Sequence, residues 1–186
     1  EVERRRQAQP LPAFPLVVNG RVAKVEEVDK YSFRVDKPTL ITCELFCRRL
    51  AVQKMYGVLD GRDENNKLVA DAADTAGKDL EFSFAAQPKK TYTLHIHDLD
   101  FNGDWSFVYR LRLTTGPRLL AMFPAAGKRG ETQQIKFVGR GVATGSDKLE
   151  SVTKPVTFPS APGVNAFDSK LETPFGNSQN VEFQIS

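Results

Sequence analysis

The chain has little of what most enzymes and membrane proteins are built with. Two histidines, two cysteines, two methionines and one tryptophan are spread over 186 residues. With only His95 and His97 available, a histidine-dependent triad has almost no material. No Gly-x-Ser-x-Gly elbow occurs, and Gly127-Lys-Arg-Gly130 lacks both the Walker spacing and a following helical pattern. No apolar run approaches the roughly 20 residues of a membrane-spanning helix. Charge of one sign is also missing: the formal net charge is +3, too small to argue for nucleic acid. Helical periodicity is absent, apart from room for one short turn between Arg48 and Tyr56.

The two cysteines, Cys43 and Cys47, stand four apart. On an extended strand that separation is about 13 Å, well beyond the roughly 7 Å Cα limit for a disulfide. They share a strand face with Ile41 and Leu45, so two buried thiols acting as small apolar side chains are expected.

What is present is enough apolar residue for a core, 40% of the chain, and an uneven distribution of charge. Residues 1–59 carry 11 basic and 7 acidic side chains, residues 60–104 carry 5 and 10, and residues 105–186 carry 10 and 6. The middle third is an acidic island, better suited to cations than to polyanions.

Alternation with period two recurs along the first 113 residues. Tyr31, Phe33 and Val35 share one phase. So do Ile41, Cys43, Leu45 and Cys47, with Thr42, Glu44 and Arg48 opposite. Leu80, Phe82 and Phe84 follow, then Tyr92, Leu94 and Ile96, then Trp105, Phe107, Tyr109, Leu111 and Leu113. Asn19-Gly20, Asp60-Gly61 and Asn65-Asn66 are turn-prone pairs. Short alternating strands with frequent turns predict an antiparallel sandwich or barrel. Residues 1–15, with Arg4-Arg5-Arg6 and then Pro10, Pro12 and Pro15, read as an extended linker. Gly116-Pro117 marks a boundary. Beyond it, 118–123, 132–138, 152–158 and 181–186 read as strands of a smaller, loop-rich β unit. The chain starts at Glu1 without Met and stops inside a strand-like segment, so it is expected to be a piece of a longer polypeptide.

Several segments resemble a known family. Val18-Asn-Gly-Arg-Val22, then Val28-Asp-Lys-Tyr-Ser-Phe33, Tyr92-Thr-Leu-His-Ile96 and Tyr109-Arg-Leu-Arg-Leu113 are similar to the bacterial pre-peptidase C-terminal domain over residues 16–115. The resemblance implies a jelly-roll-like β-sandwich in a secreted, cell-surface or periplasmic bacterial protein. It implies an accessory module beside other exported domains, with collagen-like matrix, polysaccharide or calcium among the ligands of such modules. Residues 118–141, with Phe123-Pro124, Gly127, Gly130 and Val138-Gly139, resemble more weakly the start of an immunoglobulin-like IPT/TIG domain, and residues 116–186 are assigned to that small Ig-like unit. Where the first family has an acidic Pro-Asn-Asp-like approach, this chain has Arg4-Arg5-Arg6 after Glu3, which puts in doubt the calcium ligands that approach would bring.

Asp98-Leu-Asp-Phe-Asn-Gly-Asp104 is the sharpest candidate for chemistry. Asp98, Asp100, Asn102 and Asp104 place oxygens at alternate positions around a glycine, as a Ca²⁺ site requires. The twelfth position of an EF-hand would be Tyr109 rather than Glu, and strands flank the loop, so it is not an EF-hand. The competing reading is a hairpin loop whose Asp and Asn cap their own backbone. Asp60, Asp63, Asp71 and Asp74 form a second acidic region. His95 and His97 share a strand face and are a minor candidate for zinc or copper. Most of the 18 aromatic residues read as core, but Phe46 falls on a polar face and Phe101 at the tip of the acidic loop, which makes them candidates for surface binding.

The sequence thus predicts an all-β, non-enzymatic module of a larger exported protein. It would bind or space neighbouring domains or partner proteins. The alternative is a calcium-dependent carbohydrate- or matrix-binding module, with Ca²⁺ as its cofactor. No catalytic residue, nucleic-acid partner or membrane span is assigned.

Overall fold

The computed structural model describes residues 7–51, 54–73 and 79–186. Arg4-Arg5-Arg6 and Asp74 lie outside the described residues. The chain divides into two compact units, the first ending at Thr115 and the second starting at Gly116.

The first unit holds nine strands among its described residues. They are β1 (Gln9–Pro10), β2 (Leu16–Arg21), β3 (Asp29–Arg34), β4 (Thr39–Phe46), β5 (Gly57–Arg62), β6 (Leu68–Ala73), β7 (Leu80–Ala86), β8 (Thr91–Asp98) and β9 (Val108–Thr115). One sheet has the order β1-β3-β8-β5-β6 and the other β2-β9-β4-β7. All pairings are antiparallel except that of β1 with β3.

The period-two pattern explains the stacking of these sheets. Tyr31, Phe33, Leu59, Tyr92, Leu94 and Ile96 come from the first sheet. Ile41, Cys43, Leu45, Phe82, Phe84, Tyr109, Leu111 and Leu113 come from the second. All join a single buried cluster. One face of each sheet is removed from water, and that burial is the main favourable term in folding. The result is an antiparallel β-sandwich. Cys43 and Cys47 are both free and buried. Burial, reinforced by the neighbouring Glu44 carboxylate, pushes the Cys43 thiol far above its ordinary range.

Four sequence expectations change. Asn19-Gly20 is not a turn but lies inside β2, with Gly20 opposite Tyr109. Asp60-Gly61 is likewise inside a strand; the register shift between Gly61 and Arg62 absorbs the irregularity. Trp105 does not face the core and is 76% exposed. The Asp104 carboxylate accepts hydrogen bonds from Ser106 N (2.8 Å) and Ser106 Oγ (2.6 Å), and Phe107 N donates to Asp104 O (2.9 Å). That turn delays the strand until Val108, so the apparent alternation through Trp105 was coincidental. Finally, residues 9–14 are not a free linker. Gln9 and Pro10 pair with Tyr31 and Ser32, while Leu11 and Phe14 pack on the core, Phe14 edge-on to Phe33 at 5.2 Å. The helical turn anticipated after Phe46 is a single 3₁₀ turn at Arg48–Leu50. The Asp79 carboxylate accepts from the backbone N–H of Cys47 and Arg48, both at 2.9 Å.

The second unit contains β10 (Arg118–Phe123), β11 (Ala126–Gly127), β12 (Thr132–Arg140), β13 (Leu149–Thr157), β14 (Ala166–Ser169), β15 (Glu172–Thr173), β16 (Gly176–Asn177) and β17 (Val181–Ile185). Two three-stranded sheets, β10-β12-β13 and β11-β17-β14, and a small hairpin of β15 with β16 surround a core of Leu119, Ile135, Phe137, Val142, Phe158, Leu171 and Phe183. The Gln179 side chain accepts from Leu119 N (3.1 Å) and donates to Leu119 O (2.7 Å), satisfying the backbone where β10 breaks register.

Candidate functional site

The acidic loop 98–104 is organised around one buried carboxylate. Asp98 is 1% exposed, and its Oδ1 accepts from Tyr56 N at 2.8 Å. Its Oδ2 accepts from Asp100 N (3.1 Å) and Asn102 N (3.3 Å). Three backbone donors thus compensate the desolvation of the charge. The loop also rests against the segment after β2. Glu26 N donates to Phe101 O (2.8 Å), and Asp104 N donates to Val22 O (3.0 Å). A Cβ on Gly103 would stand 2.1 Å from Lys24 O, so only glycine allows this approach. Asp98 Oδ2 and Asp104 Oδ1 therefore cap backbone N–H groups within and just after the loop, while Asp98 Oδ1 reaches across to Tyr56. The structure does not draw Asp98, Asp100 and Asp104 into one ligand set: among the described residues, no group of three or more His, Cys, Asp or Glu is arranged to hold a metal ion.

His95 and His97 share a face, but each is engaged separately. His95 lies in a row across the first sheet, Lys30–His95–Asp60–Asp71, set by strand register. Its Nδ1 is 3.5 Å from Asp60 Oδ1, which also accepts from Arg62 Nε at 2.7 Å. Burial holds the imidazole below its ordinary pKa; Asp60 opposes this, while Lys30, Arg62 and His97 add to it. His97 donates from Nδ1 to Asp98 O at 2.8 Å. Its ring stacks on Phe101, with centroids 4.5 Å apart and planes 4° from parallel. Phe101, 45% exposed, thus has one face covered by a residue of the strand that leads into its loop. Of the second acidic group, Asp60 is buried inside β5, Asp63 caps the following turn through Asn65 N and Lys67 N (both 2.9 Å), and Asp71 is exposed on β6.

Phe46 lies on the outer face of the second sheet between two guanidiniums, Arg49 at 5.4 Å and Arg112 at 5.5 Å. Arg112 in turn makes a bidentate pair with Glu44, at 2.5 and 2.6 Å. Further along this face, Arg21 stacks over the exposed Trp105 ring at 4.7 Å, and Arg110 Nε donates to Asn19 Oδ1 at 2.9 Å. The sequence pointed to Phe46 on this face but not to Trp105, whose alternation reads as core. The turn signal Asp104-Trp-Ser106 was the cue that could have placed it outside. A separate cleft of about 780 Å³ runs between the Pro10–Phe14 segment and the end of β3, floored by Phe14 and Phe33 and rimmed by Arg34, Asp36 and Lys37. No sequence motif announced it.

These features define an antiparallel β-sandwich whose buried carboxylates are held by its own backbone and arginines and whose open chemistry lies on a sheet face. A scan against protein-family models and a search of curated proteins each found no match. Among solved structures, the chain is similar to the pre-peptidase C-terminal domain of collagenase from Bacillus anthracis. That likeness has a TM-score of 0.46 at 17% identity and covers 58% of this chain and 95% of that one. The C-terminal domain of EclA, a sugar-binding protein, is similar with a TM-score of 0.36 at 12% identity, covering 56% of this chain and 80% of that one. Neither comparison identifies the second unit as immunoglobulin-like.

Proposed function

We propose that this chain is a non-catalytic accessory module of a larger exported protein. Its two β units would bind or space neighbouring domains or partner proteins, with residues 116–186 acting as an Ig-like spacer. The observation that carries this reading is the use made of the buried and half-buried carboxylates in the first unit. Asp98 and Asp79 hold backbone N–H groups, Glu44 holds Arg112, and Asp60 holds Arg62. A general acid, base or nucleophile must instead present its reactive atom to a substrate. Charges spent on turns and strand pairs suit a rigid scaffold.

The test is twofold. The 186-residue chain is assayed for turnover of ester, peptide and glycoside substrates, and applied to an array of glycans and matrix proteins. Retention on the array without turnover is the expected result. Hydrolysis that disappears on a single substitution would overturn the proposal.

A further inference from the structure

The outer face of the β2-β9-β4-β7 sheet carries a charge arrangement that the fold does not use. On it lie Arg21, Arg110, Arg112 and Arg49, with the Trp105 and Phe46 rings between them. Arg112 and Arg49 have carboxylate partners, Glu44 and Asp79. Arg21 and Arg110 have none among the described residues: one rests on an indole, the other donates to an amide. Arg21 is opposite Val108 and Asn19 opposite Arg110, so the two arginines are diagonal neighbours on adjacent strands. Diagonal neighbours have Cα atoms about 7–8 Å apart, close enough for like charges to repel. Stacking and the Asn19 bond fix both side chains without neutralising them, which lowers the ordering cost of binding an anion.

From this arrangement we infer that the Arg21–Trp105–Arg110 face binds an anionic polysaccharide, its carboxylate or sulfate groups on the two guanidiniums and a sugar ring on the indole. The inference rests on the binding-module reading and supplies its ligand class and site. Charge complementarity selects an anion. Geometry selects a sugar chain over an acidic peptide. Extended peptides are commonly taken by strand addition or in a groove; β9 is paired on both sides, by β2 and β4, and strand addition at the edge strand β2 would engage main-chain groups in the sheet plane rather than the guanidiniums and indole on its outer face. Single-stranded nucleic acid needs successive free ring faces and a basic groove. Here Phe46 sits between Arg49 and Arg112, leaving Trp105 as the exposed platform. Asp104, beside Trp105, turns its carboxylate to Ser106.

The experiment is affinity electrophoresis of the whole chain in gels containing polygalacturonate, dextran sulfate or neutral dextran. Poly-glutamate and oligo-dT serve as competitors. Retardation by the two anionic polysaccharides but not by dextran is expected. Arg21→Gln with Arg110→Gln should weaken it about tenfold, and Trp105→Ala should weaken it independently. Lys128→Ala with Lys136→Ala removes the same charge from the second unit and should leave retardation unchanged. The proposal is overturned if neither polysaccharide is bound or if the arginine and tryptophan variants bind like the parent. Equal losses in the lysine control, or competition by poly-glutamate or oligo-dT at equal concentration, overturn it as well. Release of reducing ends would sink the non-catalytic reading while leaving the binding face intact.

Discussion

Gly20 stands directly opposite Tyr109 across the β2–β9 pair, and the Tyr109 ring fills the space where a side chain at position 20 would begin. A Cβ there would lie 2.2 Å from the ring. The glycine is needed for an aromatic side chain to cross the sandwich, not for a turn. Gly20→Ala should therefore destabilise the first unit by about 1–3 kcal/mol, the usual range for overpacking a tight core. Chemical denaturation of the whole chain reads this out, and an unchanged midpoint would show that Tyr109 can move aside at no cost.

Tyr109 belongs to the second sheet, yet its hydroxyl donates to Asp29 (2.5 Å) and lies 2.7 Å from the Tyr31 hydroxyl, both on β3 of the first sheet. Burial, with the nearby Asp29 charge, drives the phenol well above its ordinary pKa and keeps it a donor. Tyr109→Phe keeps the ring and removes this polar link. A loss of about 1–2 kcal/mol is expected from equilibrium unfolding.

Asp98 gives the calcium question a clean measurement. Asp98→Asn should cost about 1–3 kcal/mol, because three backbone donors lose a charged acceptor. Its melting temperature should fall by the same amount in EDTA and in millimolar Ca²⁺, and the parent's should not move between the two. A ligand of the native state must raise the melting point, so a calcium-dependent rise abolished by the substitution would establish the loop as a metal site.

His95 gives the fold a pH dependence with a definite sign. Its folded pKa lies below the unfolded value, because burial disfavours the imidazolium despite Asp60. The unfolded chain then binds the proton more tightly. The stabilising contribution is complete above the unfolded pKa of about 6.5 and is withdrawn as pH falls below it. Denaturation midpoints should drop between pH 7.5 and 5.5, and His95→Gln should flatten that part of the profile. An equal drop in the variant would assign the effect to other groups.

Cys43 and Cys47 are both buried, and Cys43 is held as a thiol by burial. Thiolate, not thiol, is the nucleophile. Neither cysteine should react with a disulfide reagent in the native protein, and both should react on unfolding. Fast labelling of one thiol in the folded chain would show local opening of the β4 end.

Strand phase was legible wherever burial alone decided it. Tyr31, Ile41, Leu94 and Leu111 all face inward as their alternation predicts. It failed where a local polar contact competed with the pattern. Asn19-Gly20 looks like a hairpin turn because the sequence does not display the ring of Tyr109. Trp105 keeps the apolar phase of β9, but the Asp104 turn to Ser106 ends that phase early. The loop residues Asp98 and Asp104 were found as a motif, yet which backbone N–H groups they accept depends on Tyr56, 42 residues away from Asp98 in the chain. The Arg21–Trp105 contact likewise joins segments 84 positions apart, a proximity created only by pairing β2 with β9.

The Gln9–Pro10 strand sets where the first unit can be cut. It lies parallel along β3, and Leu11 N extends the pairing by donating to Ser32 O at 2.8 Å. Without it, β3 would be the edge of the remaining β3-β8-β5-β6 sheet, offering a row of bare amides to any other molecule. Proline at position 10, which has no amide hydrogen to give, blunts the new rim instead. Excision at Leu16, where the long strands begin, would thus remove a guard as well as a wall of the Phe14 cleft. The trimmed sandwich should self-associate edge to edge as its concentration rises.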